Sequence, residues 1–129
     1  MTIYTGLDRA LNGEIGPQRA YQVMGNPFAD RGSLTYLNIK AFEQPVLGTI
    51  GNMRPANILG PAQWQFDLSL SRTFQVRERQ KVEFRGEAFN VTNSLRRDDP
   101  TTTLNSNTFG QIVSAKDARV MQFALKYLF

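Results

Sequence analysis

Three segments of this 129-residue chain alternate apolar and polar residues with a strict two-residue period. Successive side chains of a β-strand point to opposite faces of its sheet, so this period predicts strands with one apolar and one polar face. The segments are QWQFDLSLSRTF (63–74), KVEFRGEAFNV (81–91) and VMQFALKYLF (120–129). Residues 63–129 are therefore predicted to contain three β-strands.

The two faces of these strands differ sharply in character. The apolar positions are Trp64, Phe66, Leu68, Leu70, Val82 and Phe84, followed in the last strand by Met121, Phe123, Leu125, Tyr127 and Phe129. The charged positions of the opposite face are Asp67, Lys81, Glu83, Arg85 and Glu87. After Ala88 the apolar positions shift by one residue to Phe89 and Val91, which indicates a bulge or a strand leaving the membrane zone, unless Phe89 simply packs inward.

Residues 1–62 have a different character. Gly, Pro and Asn punctuate them as GNP, DRG, GTIGN and LGP, which predicts loop with little regular structure; LTYLNIKAF (34–42) is a candidate for brief strands. The short polar stretch QVRERQ (75–80) is long enough for a tight hairpin. The connection before the last strand is long and polar, and its end, 109–114, is a candidate extension of that strand. A fourth strand, if present, falls in residues 1–8.

The composition argues against most small enzymes. Without Cys or His, the chain has no thiolate nucleophile, disulfide, His-based triad or Cys/His zinc site. Asp98, Asp99 and Asp117 are the remaining candidates for acid/base chemistry or calcium, but DDP is typical of a turn. We therefore expect no enzyme, no cofactor and no metal.

The alternation alone fits two settings. In a soluble sheet the apolar face is the core, whereas in a transmembrane barrel it faces lipid and the polar face lines the lumen. The soluble alternative is an all-β binding module for a polyanionic partner, motivated by the net charge of +4 and by Arg72, Arg77, Arg79 and Lys81 near one hairpin.

Three features favour the membrane. A row of alternating charges suits a hydrated lumen, and Phe74, Tyr127 and Phe129 fall at strand ends on the same side, as in an interfacial girdle. The third is length, because residues 121–129 match the roughly 9 to 11 residues of a tilted membrane-spanning strand. The basic residues near the hairpin then suit lipid head groups.

The sequence also resembles a known family. Its end resembles the C-terminal assembly signal of bacterial outer-membrane barrels, and nearly the whole chain resembles the C-terminal end of large TonB-dependent receptors of the Oar-like kind, which often carry a carboxypeptidase-regulatory-like domain. The stretches that carry the resemblance are TGLD (5–8), AF (41–42), GTIGN (48–52), LGP (59–61), WQFDLSLSRTF (64–74), EFRGEAFNVTN (83–93), TFGQIVSAKDAR (108–119) and MQFALKYLF (121–129). Ala118 stands where the family pattern has Pro.

The resemblance implies an all-β fold: an antiparallel transmembrane β-barrel segment with long extracellular loops. It would supply the last three or four strands of an incomplete barrel, so the chain is expected to be a fragment with Met1 inside a parent sequence. Residues 1–62 would be mostly extracellular loop, residues 63–129 would hold the last three strands, and no second domain is expected. QVRERQ would be a periplasmic turn.

The resemblance also implies a function and partners. The protein would take up an unknown ligand across the cell outer membrane of a Gram-negative bacterium, contacting the lipid bilayer and, through N-terminal parts missing here, the TonB system. The barrel-assembly machinery would recognise the row Met121 to Phe129, and no nucleic acid is expected. Trp64, Phe66, Leu68, Leu70, Val82 and Phe84 would face lipid, and Asp67, Lys81, Glu83, Arg85 and Glu87 would face the lumen. The further barrel residues are Phe89, Asn90 and Asn93, and Phe109 with Gly110 would begin the return to the last strand.

Overall fold

The computed structural model describes residues 1–129 and is built from antiparallel β-strands. The strands are β1 (Tyr21–Gln22), β2 (Phe42–Glu43), β3 (Leu68–Arg77), β4 (Gln80–Phe89) and β5 (Val120–Leu128), with a 3-10 turn at Ile39–Ala41. β1 pairs with β2, and β3, β4 and β5 form a three-stranded sheet in that order. None of the helical segments has the length and apolarity needed to span a bilayer.

The register of the larger sheet aligns residues of like character. Leu70 of β3 lies opposite Gly86 of β4, which lies opposite Phe123 of β5. Because directly opposed residues share a face, the apolar positions of all three strands lie on one side. The predicted alternation is therefore confirmed in all three strands.

The turn between β3 and β4 is shorter than the six-residue stretch QVRERQ (75–80), because the strands extend into that stretch from both sides. Only Glu78 and Arg79 lie between the strands, and the register shifts between Gln75 and Arg77, so that Val76 is an extra residue in β3. Extra residues of this kind increase the local twist of a hairpin.

The end of β4 explains the change of phase after Ala88. The pairing with β5 continues without a shift to Phe89 and Val120, and the strand then ends because Asn90 has a φ of 52°. The left-handed conformation breaks an extended strand. The phase change therefore marks the strand end, not a bulge.

The beginning of β3 corrects one boundary. Trp64 and Phe66 were expected within the strand, but β3 begins at Leu68. The backbone before it bonds to the turn after β4, since Phe66 O accepts from the Val91 N–H at 2.9 Å and Trp64 O accepts from the Ser94 hydroxyl at 2.9 Å. Those bonds replace the regular ladder, so both aromatic residues and Asp67 precede the strand.

The chain divides into two compact units. The loop unit comprises Met1–Pro61 and Arg97–Ala115, and the sheet unit comprises Ala62–Arg96 and Lys116–Phe129. The prediction of little regular structure in the first half is confirmed, but the loop unit has its own buried core. Its members are Ile3, Ala20, Tyr36, Leu37, Ala41, Phe42, Met53, Ile58, Phe109 and Ile112.

The prediction that residues 109–114 extend the last strand is wrong. Phe109 and Ile112 are buried in the loop core, where the Phe109 ring packs edge-on against Phe42 with centroids 5.7 Å apart. Between them Gly110 accepts backbone bonds from the N–H groups of Tyr36 and Leu37, at 2.8 and 3.0 Å. Its φ is 73° and a Cβ there would lie 2.6 Å from Leu37 O, so this contact requires glycine.

Two weaker expectations for the loop unit are only partly met. Residues 1–8 contain no strand; Tyr4 forms isolated bridges with Arg19 and Thr103 instead. Within 34–42, Thr35 and Leu37 form isolated bridges, and Phe42 begins the two-residue strand β2. Short apolar stretches separated by Asn and Gly pair only briefly, because each turn residue interrupts the ladder.

Candidate functional site

One face of the three-stranded sheet is almost entirely apolar. Its residues, read from the register, are Leu68, Leu70, Arg72 and Phe74 of β3, Val82, Phe84, Gly86 and Ala88 of β4, and Met121, Phe123, Leu125 and Tyr127 of β5. The large side chains of β3 and β5 are exposed, including Leu70 at 68% and Leu125 at 73%. A contiguous exposed apolar face of this kind requires an apolar environment or a partner.

Aromatic rings gather at the end of this face that is next to the two-residue turn. Phe74 and Tyr127 both lie opposite Val82, so the register places them at the same level, and the Tyr127 ring is 6.0 Å from the Phe129 ring. The structure thus brings together the aromatic residues that the sequence assigned to a girdle. Rings at this level suit a membrane–water boundary.

The opposite face carries a ladder of charges. Along β4 the Arg85 guanidinium lies 3.7 Å from both Glu83 and Glu87 carboxylates. On β5, Gln122 donates to Glu87, and Lys126 lies opposite Glu83. Alternating charges on one face satisfy one another across and along the strands, as a water-exposed face requires.

A network of polar residues fixes the far end of the sheet, away from the two-residue turn. Asn90 is almost fully buried, and its side chain amide donates to Ser94 O at 3.1 Å and accepts from the Ser94 N–H at 3.0 Å. The Asn90 N–H donates to Asp67 Oδ1 at 2.9 Å. This bond and a second from Gln65 lower the pKa of Asp67, which precedes β3. The turn after β4 is therefore rigidly closed.

The same network reaches the residues before β5. The Arg119 N–H donates to Asn93 Oδ1 at 3.1 Å, and Asn93 has a φ of 51°. The Arg96 guanidinium donates to Gln65 Oε1 and, at 3.0 Å, to Asp117 O. The resemblance had singled out Asp67, Asn90 and Asn93, but Ser94, Arg96 and Arg119 were missed. The run NVTNS, dense in turn-forming residues, was the available signal.

An open cleft of about 370 Å³ lies in the loop unit and is lined largely by polar residues. Asn52 pairs with the backbone of Gln22, accepting from its N–H at 2.7 Å and donating to its carbonyl at 3.2 Å. Asn57 donates to Gln22 Oε1 at 3.1 Å, and Gln22 donates in turn to Met24 O at 2.9 Å. This chain of amides orders the wall of the cleft beside Arg54.

A second polar centre in the loop unit is built around Gln18. Its amide oxygen accepts from the N–H groups of Arg9 and Ala10, and its amide nitrogen donates to Asp8 Oδ1 at 2.7 Å and to Asn12 Oδ1 at 2.9 Å. The bond from Gln18 lowers the pKa of Asp8, with smaller contributions from the backbone of Gly13 and Asn12. One glutamine thereby closes the loop of residues 8–18.

The remaining acidic candidates are divided between the two compact units. Asp98 and Asp99 belong to the loop unit and Asp117 to the sheet unit, and Asp98 accepts from the Ser114 hydroxyl at 2.7 Å. No group of three or more His, Cys, Asp or Glu side chains in the structure is placed to hold a metal ion.

Comparison with known families identifies the class. The outer membrane beta barrel domain family matches residues 1–122, nearly the whole chain, and the protein belongs to this family. It is therefore an outer-membrane protein, and its open three-stranded sheet is part of an incomplete β-barrel. Neither the curated proteins nor the solved structures include a significant match. The membrane setting argues against the soluble binding module.

Proposed function

We propose that this chain forms β-barrel strands of a TonB-dependent receptor that takes up a ligand across the outer membrane. The observation that carries the proposal is the segregation of the sheet into an apolar face and a charged face by the register of β3, β4 and β5. In a barrel wall the apolar face contacts lipid and the charged face lines a hydrated lumen. The sequence stretches shared with Oar-like receptors support the narrower assignment.

In this proposal the lipid-facing row contains Leu68, Leu70, Val82 and Phe84, with Trp64 and Phe66 continuing it beyond the strand. The lumen-facing set contains Lys81, Glu83, Arg85 and Glu87, with Asp67 at its rim. The Arg85 ion pairs to both glutamates support this orientation, because such pairs are tolerated in water and are costly in hydrocarbon. The lumen face then presents fixed charges to a ligand that passes through the barrel.

The loop unit is proposed to lie on the extracellular side and to make first contact with the ligand. Its buried core and its amide-lined cleft support this role, because a loop held by a core presents a fixed surface. The chemistry of the cleft, with an arginine and several amides, suits a polar ligand. We assign no catalytic residue and no cofactor.

Two partners complete the proposal. The row Met121, Phe123, Leu125, Tyr127 and Phe129 would be recognised by the barrel-assembly machinery, since it presents alternating apolar side chains on an exposed strand. The TonB system would act on parts of the receptor outside this chain.

Uptake experiments in the source bacterium test the transport role. Solutes that a strain lacking this gene fails to remove from the medium should also remain when TonB is inactivated. A vitamin or amino acid carried by porins serves as the control and should be taken up by all strains. A solute whose uptake requires this gene but proceeds normally without TonB would contradict the proposal.

A further inference from the structure

Arg72 is the single charged residue on the apolar face of the sheet. Leu70 and Phe74 flank it on β3, and Phe84 lies opposite it on β4. On β5, Leu125 lies opposite Phe84. The face carries no acidic residue, and the two ion pairs along β4 are made by Arg85 and not by Arg72. A guanidinium keeps its charge at any physiological pH, so it needs a counter-charge from outside this face.

The side chain of Arg72 points toward the end of the sheet with the two-residue turn. Its guanidinium carbon lies 5.2 Å from the centroid of the Phe74 ring, two residues nearer that turn. Phe74 is level with Tyr127, so the charge sits at the depth of the aromatic rings. An arginine on the lipid face is much less costly near the membrane boundary than at the bilayer midplane, which explains why the guanidinium points toward the turn.

The distribution of charged residues between the two units indicates what supplies the counter-charge for Arg72. Nine basic and five acidic residues lie in the sheet unit, whereas the loop unit has six of each, so the sheet unit carries the whole net charge of +4. Between residues 75 and 81 the only acidic residue is Glu78, beside Arg77, Arg79 and Lys81. Clustered basic residues at a membrane boundary attract anionic lipid head groups.

We propose that Arg72 binds the phosphate group of a phospholipid in the leaflet at the turn end of the sheet, with its guanidinium held against Phe74. The planar guanidinium donates two parallel hydrogen bonds to phosphate oxygens, while Arg77 and Arg79 strengthen the local positive potential. This site rests on the proposed function, because it requires the apolar face to contact lipid. It fixes the depth of β3 in the bilayer.

Solid-state NMR on the protein in phosphatidylcholine vesicles with phosphatidylglycerol tests the contact directly. The arginine guanidinium carbons are labelled with ¹³C. We expect lipid ³¹P to dephase one arginine signal, and that signal should be absent in Arg72→Gln. That signal should be unchanged by added inorganic phosphate and by Arg54→Gln, which removes the same charge from the loop unit. Binding to the anionic vesicles should fall about fivefold in Arg72→Gln, as expected for one basic residue at a lipid surface.

Other outcomes separate the two proposals. If the protein inserts but Arg72→Gln leaves the ³¹P contacts unchanged, the phosphate site is wrong and the membrane orientation stands. If Arg72→Leu binds the anionic vesicles more tightly than the original protein, the guanidinium has no lipid partner and the site is again wrong. If the protein inserts and Leu70 and Leu125 show no contact with lipid acyl chains, both the orientation and the phosphate site are overturned.

Discussion

The ring of Phe123 lies over Gly86 of the neighbouring strand and stacks against Phe84, with the two ring centroids 6.1 Å apart and the planes inclined by 22°. A Cβ at Gly86 would lie 3.3 Å from the Phe123 ring. The glycine leaves room for the ring to lie flat, and the ring covers the backbone that the glycine exposes.

This stack predicts a measurable coupling between the two rings. In a double-mutant cycle of Phe84→Ala and Phe123→Ala, we expect a coupling of about 0.5–1.5 kcal/mol in the free energy of unfolding of the membrane-inserted protein. Urea titration of the four proteins measures it. The pair Phe84 and Met121 is the control and should show a smaller coupling, because Met121 lies opposite Ala88, four residues along β4 from Phe84.

Asn90 allows its backbone conformation to be tested separately from its side chain. Asn90→Gly keeps the left-handed φ of 52° and loses the amide bonds to Ser94, which should destabilise the protein by about 1–3 kcal/mol. Asn90→Ala loses the same bonds and also strains the backbone, which should lower the free energy of unfolding by about 1 kcal/mol more. Equal unfolding free energies for the two variants would show that the conformation carries no strain.

The orientation of β5 predicts that arginine is costly at one position and tolerated at another position three residues away. Leu125→Arg places a charge on the apolar face and should cost about 2–4 kcal/mol if that face meets lipid at mid-membrane. Gln122→Arg places the same charge opposite Glu87 on the charged face and should cost little. The free energy of unfolding from vesicles is measured for both variants. Equal losses of stability would show that the Leu125 face does not contact lipid.

Acid should loosen the loop of residues 8–18. The folded pKa of Asp8 is lowered below 3.8, chiefly by the bond from Gln18, so its ionised form stabilises the loop fully above the unfolded pKa. That contribution disappears as the pH falls through the lower, folded pKa. The protection of the Asn12 and Gly13 amides against hydrogen exchange, relative to an unfolded chain at the same pH, should fall over this range. Asp8→Asn should abolish the pH dependence, whereas Asp117→Asn in the sheet unit should preserve it.

Phe129 tests the assembly segment. Replacing Phe129 with Asp in the receptor should slow its insertion into the outer membrane without changing the ligand affinity of the molecules that insert, since the residue belongs to the terminal apolar row. Pulse-chase fractionation measures insertion, and Lys126→Gln, on the charged face of the same strand, is the control. Normal insertion of the Asp variant would rule out this role.

The sequence predicted the strands better than the loops, for a physical reason. A two-residue period reports the face of each residue directly, so β3, β4 and β5 were found within a few residues, and the tight hairpin was found with them. The start of β3 was misplaced because Trp64 and Phe66 keep the period while their carbonyls bond to the turn after β4.

The loop core could not be read from the pattern. Its members come from short stretches far apart in the chain, such as Leu37 and Phe109, with no period connecting them. The apolar residues of 109–114 were therefore assigned to the nearest strand, although they pack against the first half of the chain. The polar network had a partial signal, since Asp67, Asn90 and Asn93 were named without their partners Ser94 and Arg119.

The connection between β4 and β5 is closed at its base. Arg97 bridges Ala115, and Arg96 O accepts from the Lys116 N–H at 2.8 Å. Once residues 97–115 have folded into the loop unit, the connection that must still be closed consists of residues 90–96 and 116–119. Shortening a closing loop in this way lowers its entropic cost by about 1 kcal/mol. We therefore expect β5 to pair with β4 after the loop unit has formed, so that folding outside the sheet sets the order in which the sheet is completed.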